Sequence, residues 1–147
     1  MPPADHLDLI MAVMGTAFDP KFGEAWSRRQ VEDALVLGNC HYGLTMAGAD
    51  CAGFYLARNG FSEVELLLLA VGPLHRRRGY GRQLLKDLAA FARDRNAERL
   101  LLEMRDGNPA EYLYRQFGFE AIGARKNYYQ LGDGSRGDAI TFAKTLV

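Results

Sequence analysis

From Arg76 to Arg82 the chain reads Arg-Arg-Arg-Gly-Tyr-Gly-Arg, so that Arg76, Arg77, Arg78 and Arg82 crowd around Gly79 and Gly81. A guanidinium is a planar fork of donors that matches phosphate and carboxylate oxygens, and glycine has no Cβ to keep an anion away from the main chain. The segment therefore suits an anion, provided that the backbone beneath it offers free N–H groups; a merely basic surface turn is the alternative. A Walker loop is excluded, since no Gly-Lys-Ser/Thr ends the segment. A dinucleotide fingerprint is excluded too, because its third glycine would fall at Leu84.

The flanking segments supply the backbone. Val64 to Val71 is a near-continuous apolar run, which predicts a strand buried on both faces, and Pro73 stops it. Arg82 to Asn96 reads as a helix with Leu84, Leu85, Leu88, Ala89, Phe91 and Ala92 on one stripe. The glycine turn thus opens a helix, where unpaired N–H groups and the positive end of the macrodipole favour negative charge.

The 147 residues, 48% of them hydrophobic, are enough for one domain with a sizeable core. The net charge of +0 gives no general attraction to nucleic acid or to a membrane surface, so the basicity is local. Cys40 and Cys51 do not make a disulfide framework and read as reduced, structural thiols; His6, His41 and His75 lack metal-ligand spacing, so no metal is expected. The apolar stretch Leu7 to Val13 is broken by Asp8, which leaves no signal peptide or membrane span, and a cytoplasmic location is the expectation.

In chain order, a first helix is expected over Asp5 to Ala17, ending before Asp19-Pro20. Ser27 and Gln30 form a capping box for a second helix that Gly38 ends, with Trp26 and Val31 spaced as a hydrophobic staple. Trp26 could equally line a substrate groove. His41 to Ala47 and Ala52 to Arg58, separated by Gly48-Ala49-Asp50, and then the run from Val64 after Asn59-Gly60, read as an antiparallel meander. Arg99 to Arg105 is a strand that the preceding helix makes parallel to the central one. Asn108, Pro109 and Glu111 read as N-cap, N1 and N3 of a helix closed by Gly118. Phe119 to Leu131 and Ala139 to Leu146 flank a glycine-rich loop and form a hairpin. The expected fold is α/β, a mixed and mostly antiparallel sheet with helices on both faces.

Arg-x-x-Gly-x-Gly, from Arg76 to Gly81 after a buried strand, looks like the acetyl-CoA pyrophosphate loop of the GCN5-related (GNAT) N-acetyltransferase superfamily. Leu102-Glu103-Met104-Arg105, Leu113-Tyr114 with Gly118-Phe119, Lys126-Asn127-Tyr128-Tyr129, Asp138-Ala139-Ile140 and Ala25-Trp26-Ser27 resemble its ribosomal-protein-alanine N-acetyltransferase subfamily. The resemblance implies transfer of acetyl from acetyl-CoA to the α-amino group of a protein N-terminus, on a ribosomal protein beginning with alanine or a similar small residue. It implies that Leu69, Ala70 and Val71 pair with the pantetheine arm, and that the run Arg76, Arg77, Arg78, Gly79, Tyr80, Gly81 and Arg82, with Asn108, holds the rest of the cofactor. It also implies Glu103 as the base and Tyr114 as the acid that protonates the leaving thiolate, with Trp26, Tyr128, Tyr129 and Asp138 on the acceptor side. Neither nucleic acid nor membrane is an expected partner, and a monomer is compatible with the sequence.

The amine chemistry agrees with that implication. An α-amine with pKa near ~8 is roughly ten per cent neutral at pH 7, whereas a lysine near ~10.4 is far less so. A modest base acting through water suffices for an N-terminus. Each residue also has a plain reading: Glu103 as a solvated carboxylate at a strand end, Tyr114 as a core tyrosine, Tyr128 and Tyr129 as strand aromatics, Asp138 as a loop charge or a partner for the incoming ammonium. One departure stands out. The family places asparagine seven residues before the tyrosine; here that position is Gly107, and Asn108 lies six before Tyr114. One residue on a helix is a rotation of about 100°, so the loop Asp106-Gly107 must absorb the change if both are to keep their places. A GNAT acting on a small amine, or an acyl-CoA-binding module without turnover, are the competing functions.

Overall fold

The computed structural model describes residues 2–147. Its elements are α1 (Ala4–Ala17), α2 (Arg28–Leu37), β1 (Cys40–Ala47), β2 (Asp50–Asn59), β3 (Glu63–Val71), α3 (Tyr80–Asp94), β4 (Arg99–Arg105), α4 (Glu111–Phe117), β5 (Glu120–Gln130) and β6 (Arg136–Thr145), with short 3-10 turns at Pro20–Phe22 and Pro73–His75. This is the order the sequence predicts. The sheet runs β1-β2-β3-β4-β6-β5; β3 and β4 are parallel, and every other neighbouring pair is antiparallel.

Local chemistry explains the clean starts and stops. Ser27 Oγ accepts the Gln30 N–H at 3.2 Å while Gln30 Oε1 accepts the Ser27 N–H at 2.7 Å, the reciprocal box that starts α2. Trp26 is half-buried against the cluster that contains Val31, as a staple requires. Gly48 and Ala49 alone make the β1–β2 turn, with Gly48 at φ +63°, so Asp50 belongs to β2, paired with Ala47.

Two apolar layers sandwich the sheet. Leu7, Ile10, Val13 and Met14 of α1 and Val31 of α2 pack on Phe54, Leu56, Leu68 and Ala70. On the other face Leu84, Leu85, Leu88, Ala89 and Ala92 of α3 and Tyr114 of α4 pack on Tyr55, Ala57, Val64, Leu66 and Leu102. Phe91 departs from the expected stripe: it is only half-buried, and its ring stacks on His41 with centroids 3.6 Å apart.

The central strand departs from expectation as well. Instead of being buried on both faces, β3 alternates between fully and half-buried residues. Its register against β2 slips between Leu66 and Leu68, so Leu67 is an extra residue. A single extra residue reverses which face each side chain takes. Val64 and Leu66 therefore belong to the α3 layer, Leu68 and Ala70 to the α1 layer.

Two helix starts are displaced. α3 begins at Tyr80 rather than Arg82 and ends at Asp94, because Gly79 takes the left-handed φ of +86° that turns the chain into the helix. α4 begins at Glu111, and Asn108 is not its N-cap. The Asn108 side chain instead accepts the Ala110 N–H at 2.9 Å, and Glu111 N–H reaches back only to Asn108 O. This tight turn precedes the helical ladder, which opens when Tyr114 N–H bonds Ala110 O. No helix is long and apolar enough to cross a membrane among the described residues.

Candidate active site

The parallel ladder between β3 and β4 covers only Glu63 to Leu66 against Arg99 to Leu102. Beyond it, β4 continues on β6 and β3 continues on β2, so the two central strands diverge and Leu67 to Val71 present their β4-side backbone to a gap. A cleft of about 870 Å³ occupies that gap. Leu69, Ala70 and Val71 form one wall, Arg105, Asn108, Leu113 and Tyr114 the other, and Phe18, Asp19, Phe22 and Glu24 from the α1–α2 connection cover it.

One end of the cleft presents groups of the kind that can take an anion. Gln83 N–H is bonded to Gly79 O, so the N–H groups of Tyr80, Gly81 and Arg82 are those of the first helical turn and have no partner within it. Gly81 and Arg77 line the cleft. A Cβ built on Gly81 would come 2.9 Å from Leu113 Cδ2, so any side chain there would crowd the cradle. Arg76 also lines the cleft, but its guanidinium already donates to Ala17 O at 2.7 Å and, through Nε, to Val71 O at 3.3 Å. It latches the end of β3 to the last turn of α1. Arg78, Gly79, Tyr80 and Arg82 stand beside the cleft rather than in its wall, with the Arg82 guanidinium over the Phe117 ring.

The other end holds a tyrosine and a carboxylate. Tyr114 is 7% exposed, with its ring edge-on to Phe119. Burial, and then the negative charge of Glu24, push its hydroxyl well above the ordinary tyrosine range, so it stays protonated. Glu24 is itself pushed up, chiefly by burial, against the lowering effect of Arg105. Arg105 lays its guanidinium on the Phe22 ring at 3.7 Å and thereby joins the end of β4 to the α1–α2 connection. Asn108 and Tyr114 face the same cleft despite the missing residue, because Gly107, at φ +86°, and the turn after it take up the change.

Glu103 lies two residues before Arg105 on β4, outside this wall. Its side chain is 19% exposed, accepts the Thr141 hydroxyl at 3.3 Å and pairs with Arg125 Nε at 3.3 Å. Glu103 and Glu24 both act on Tyr129, whose hydroxyl is pushed up to about 12 by burial first and then by Glu103 and other neighbours. Tyr128 is more exposed, edge-on to Tyr129 and under Arg125. Asp138 accepts the Asn127 N–H at 2.8 Å. Trp26 stands outside the cleft wall.

Glu24 and Phe22 are residues that the sequence reading does not single out, and Arg105 enters it only as the last residue of Leu102-Glu103-Met104-Arg105. Cys40 and Cys51 are free, each thiol donates to a nearby carbonyl, and burial pushes both up and away from reactivity.

Residues 11–119 match the model of the acetyltransferase (GNAT) family. The chain is 33% identical over 91 residues to a [ribosomal protein bS18]-alanine N-acetyltransferase of Haemophilus influenzae, covering 62% of each chain. It is 32% identical over 126 residues to the N-alpha-acetyltransferase RimI of Mycobacterium tuberculosis, covering 82% of this chain and 76% of that one. The chain spans 62% and 65% of the length of the two Haemophilus relatives it matches. The crystal structure of the ribosomal-protein-S18-alanine N-acetyltransferase from Escherichia coli superposes with a TM-score of 0.85 at 28% identity, over 99% of this chain and 90% of that one. A cleft between diverging central strands, an anion cradle at the start of α3 and a family match over most of the chain lead to one conclusion: the chain belongs to the acetyltransferase (GNAT) family.

Proposed function

We propose that this protein transfers the acetyl group of acetyl-CoA to the N-terminal α-amino group of a protein, with a ribosomal protein that begins in alanine as the acceptor and the cytoplasm as the place of reaction. One observation carries the reading: a single cleft runs from the anion cradle at Arg77 and Gly81 to the buried Tyr114 and Glu24. The names of the relatives support the acceptor class.

The residues present fit acetyl-CoA. The first-turn N–H groups of α3 and the Arg77 guanidinium suit its pyrophosphate, and the open edge of β3 at Leu69 to Val71 suits the amides of its pantetheine arm. Bound there, it supplies an activated thioester carbonyl. Glu103, acting through water, takes a proton from the incoming α-ammonium, and the neutral amine attacks that carbonyl carbon. Glu24 holds negative charge beside the approach and favours a cationic acceptor. As the carbon–sulfur bond breaks, Tyr114 gives its proton to the departing thiolate and regains one from the acylated nitrogen, a role that suits a hydroxyl kept protonated by burial. Trp26 serves the start of α2 rather than the acceptor.

The test is a panel of short peptides incubated with acetyl-CoA and read by mass spectrometry. Acetylation at the free N-terminus of alanine-initial peptides is expected. Acetylation confined to lysine side chains or to small amines would overturn the reading.

A further inference from the structure

Asp138 faces an irregularity that the resemblance does not explain. Between the pairs Arg125–Ala139 and Tyr129–Gly137, β5 has three residues, Lys126, Asn127 and Tyr128, where β6 has only Asp138. A strand that carries two extra residues must leave its ladder, and Asn127 does so at φ +54°, in the left-handed region that a non-glycine residue takes at a cost. The Asn127 N–H can no longer reach a β6 carbonyl. It is taken instead by Asp138 Oδ1 at 2.8 Å, while the Asp138 carbonyl turns the other way to accept the Asp106 N–H at 2.8 Å.

One residue therefore ties the β5 bulge to the loop that follows β4. On one side of the bulge Arg125 pairs with Glu103; at the other end Tyr129 comes under the charges of Glu103 and Glu24. The hairpin continues to Gly132, whose N–H bonds Lys21 O in the α1–α2 connection and so bridges the acceptor side of the cleft.

We propose that Asp138 is a positioning residue for the acceptor groove: its carboxylate clamps the β5 bulge that sets Tyr129 beside Glu103 and Tyr128 under Arg125, and does not itself meet the acceptor amine. The groove's use for a peptide rests on the function proposed above; the clamp does not. A carboxylate that accepts a backbone N–H acts as an oxygen acceptor, a task an amide oxygen also performs, whereas pairing with an ammonium needs the charge.

Asp138→Ala and Asp138→Asn separate the two roles in the full chain. In Asp138→Ala the Asn127 amide is expected to lose protection from hydrogen exchange, and KM for an alanine-initial peptide to rise about tenfold with KM for acetyl-CoA unchanged. Asp138→Asn is expected to retain both the protection and a KM within about twofold of the parent, as the oxygen acceptor is kept. Adding Asn127→Gly to Asp138→Ala removes the cost of the left-handed φ and is expected to recover part of the KM. Equal impairment in Asp138→Asn and Asp138→Ala, or unchanged exchange at Asn127 in Asp138→Ala, overturns the proposal. A parent protein inactive on every peptide overturns the acceptor reading instead, and the exchange experiment still decides the clamp.

Discussion

A Cβ on Gly81 would stand 2.9 Å from Leu113 Cδ2, so the first turn of α3 passes α4 so closely that even a methyl there must displace the Leu113 side chain on the wall of the cleft. The contact explains why glycine occupies a helical position where it costs about 1 kcal/mol relative to alanine.

Replacing Gly81 by alanine is expected to weaken acetyl-CoA binding several-fold, since the Leu113 methyl can swing aside. Gly81→Glu places a carboxylate in the anion cradle, and loss of binding by more than about a hundredfold is expected. Titration calorimetry reads both. Unchanged affinity in Gly81→Glu would mean that the cradle is not the pyrophosphate site.

Glu103→Gln removes the base but keeps its shape. A fall in kcat of about 10²-fold is expected, with acetyl-CoA affinity unchanged. Glu24→Gln is expected to act mainly on KM for the acceptor, since its charge lies along the approach. Steady-state kinetics with each substrate varied in turn distinguishes the two carboxylates; equal losses in kcat would assign them one shared role.

Tyr114→Phe removes only a hydroxyl from a buried ring. A fall in kcat of about tenfold or more is expected with little change in either KM. With its hydroxyl raised by burial and by Glu24, the parent is also expected to keep its activity as the pH rises through the usual tyrosine range near ~10. An inflection at that pH that is absent from Tyr114→Phe would mean that the hydroxyl is not raised, and an unchanged kcat in Tyr114→Phe would refute its role as the acid.

His41 stacks on Phe91 and meets Tyr55 edge-on, and burial lowers it from its usual 6.5 to about 4. The unfolded chain takes up this proton below pH 6.5 and the folded chain does not until about 4. The neutral ring's contribution is therefore complete above pH 6.5 and is lost as the pH falls from 6.5 towards 4. Allowing for the ring's residual exposure, about 1.5 kcal/mol of stability is expected to go between pH 7 and 5. Urea unfolding at the two pH values measures it, and His41→Phe should remove most of the difference; an equal loss in that variant would place the sensitivity elsewhere.

Much of the fold was legible because its signals are local. The Ser27–Gln30 box, the Asn59-Gly60 turn and the stripe of α3 each depend on residues a few positions apart. β4 runs from Arg99 to Arg105 as its apolar run predicts. The glycine turn that opens α3 was equally legible, since it depends on the backbone of one turn. Helix starts were less so. Gly79 and the Asn108–Pro109–Ala110 turn choose between local bonding patterns that lie close in energy, and the sequence offers both.

What the sequence by itself determined is the order of elements, the amphipathic faces and the glycine-and-arginine turn that opens α3. What only the tertiary structure decided is where strands stop pairing. The extra residue at Leu67 and the end of the β3–β4 ladder at Leu66 and Leu102 open the cleft, and neither follows from the apolar run, whose residue types are the same on both sides of the slip. The meeting of Glu24 with Tyr114, and of Asp138 with the Asn127 amide, is settled the same way. These contacts join residues held by different elements, and the sheet register that brings them together is fixed by pairing across the whole chain, not by any one segment's preference.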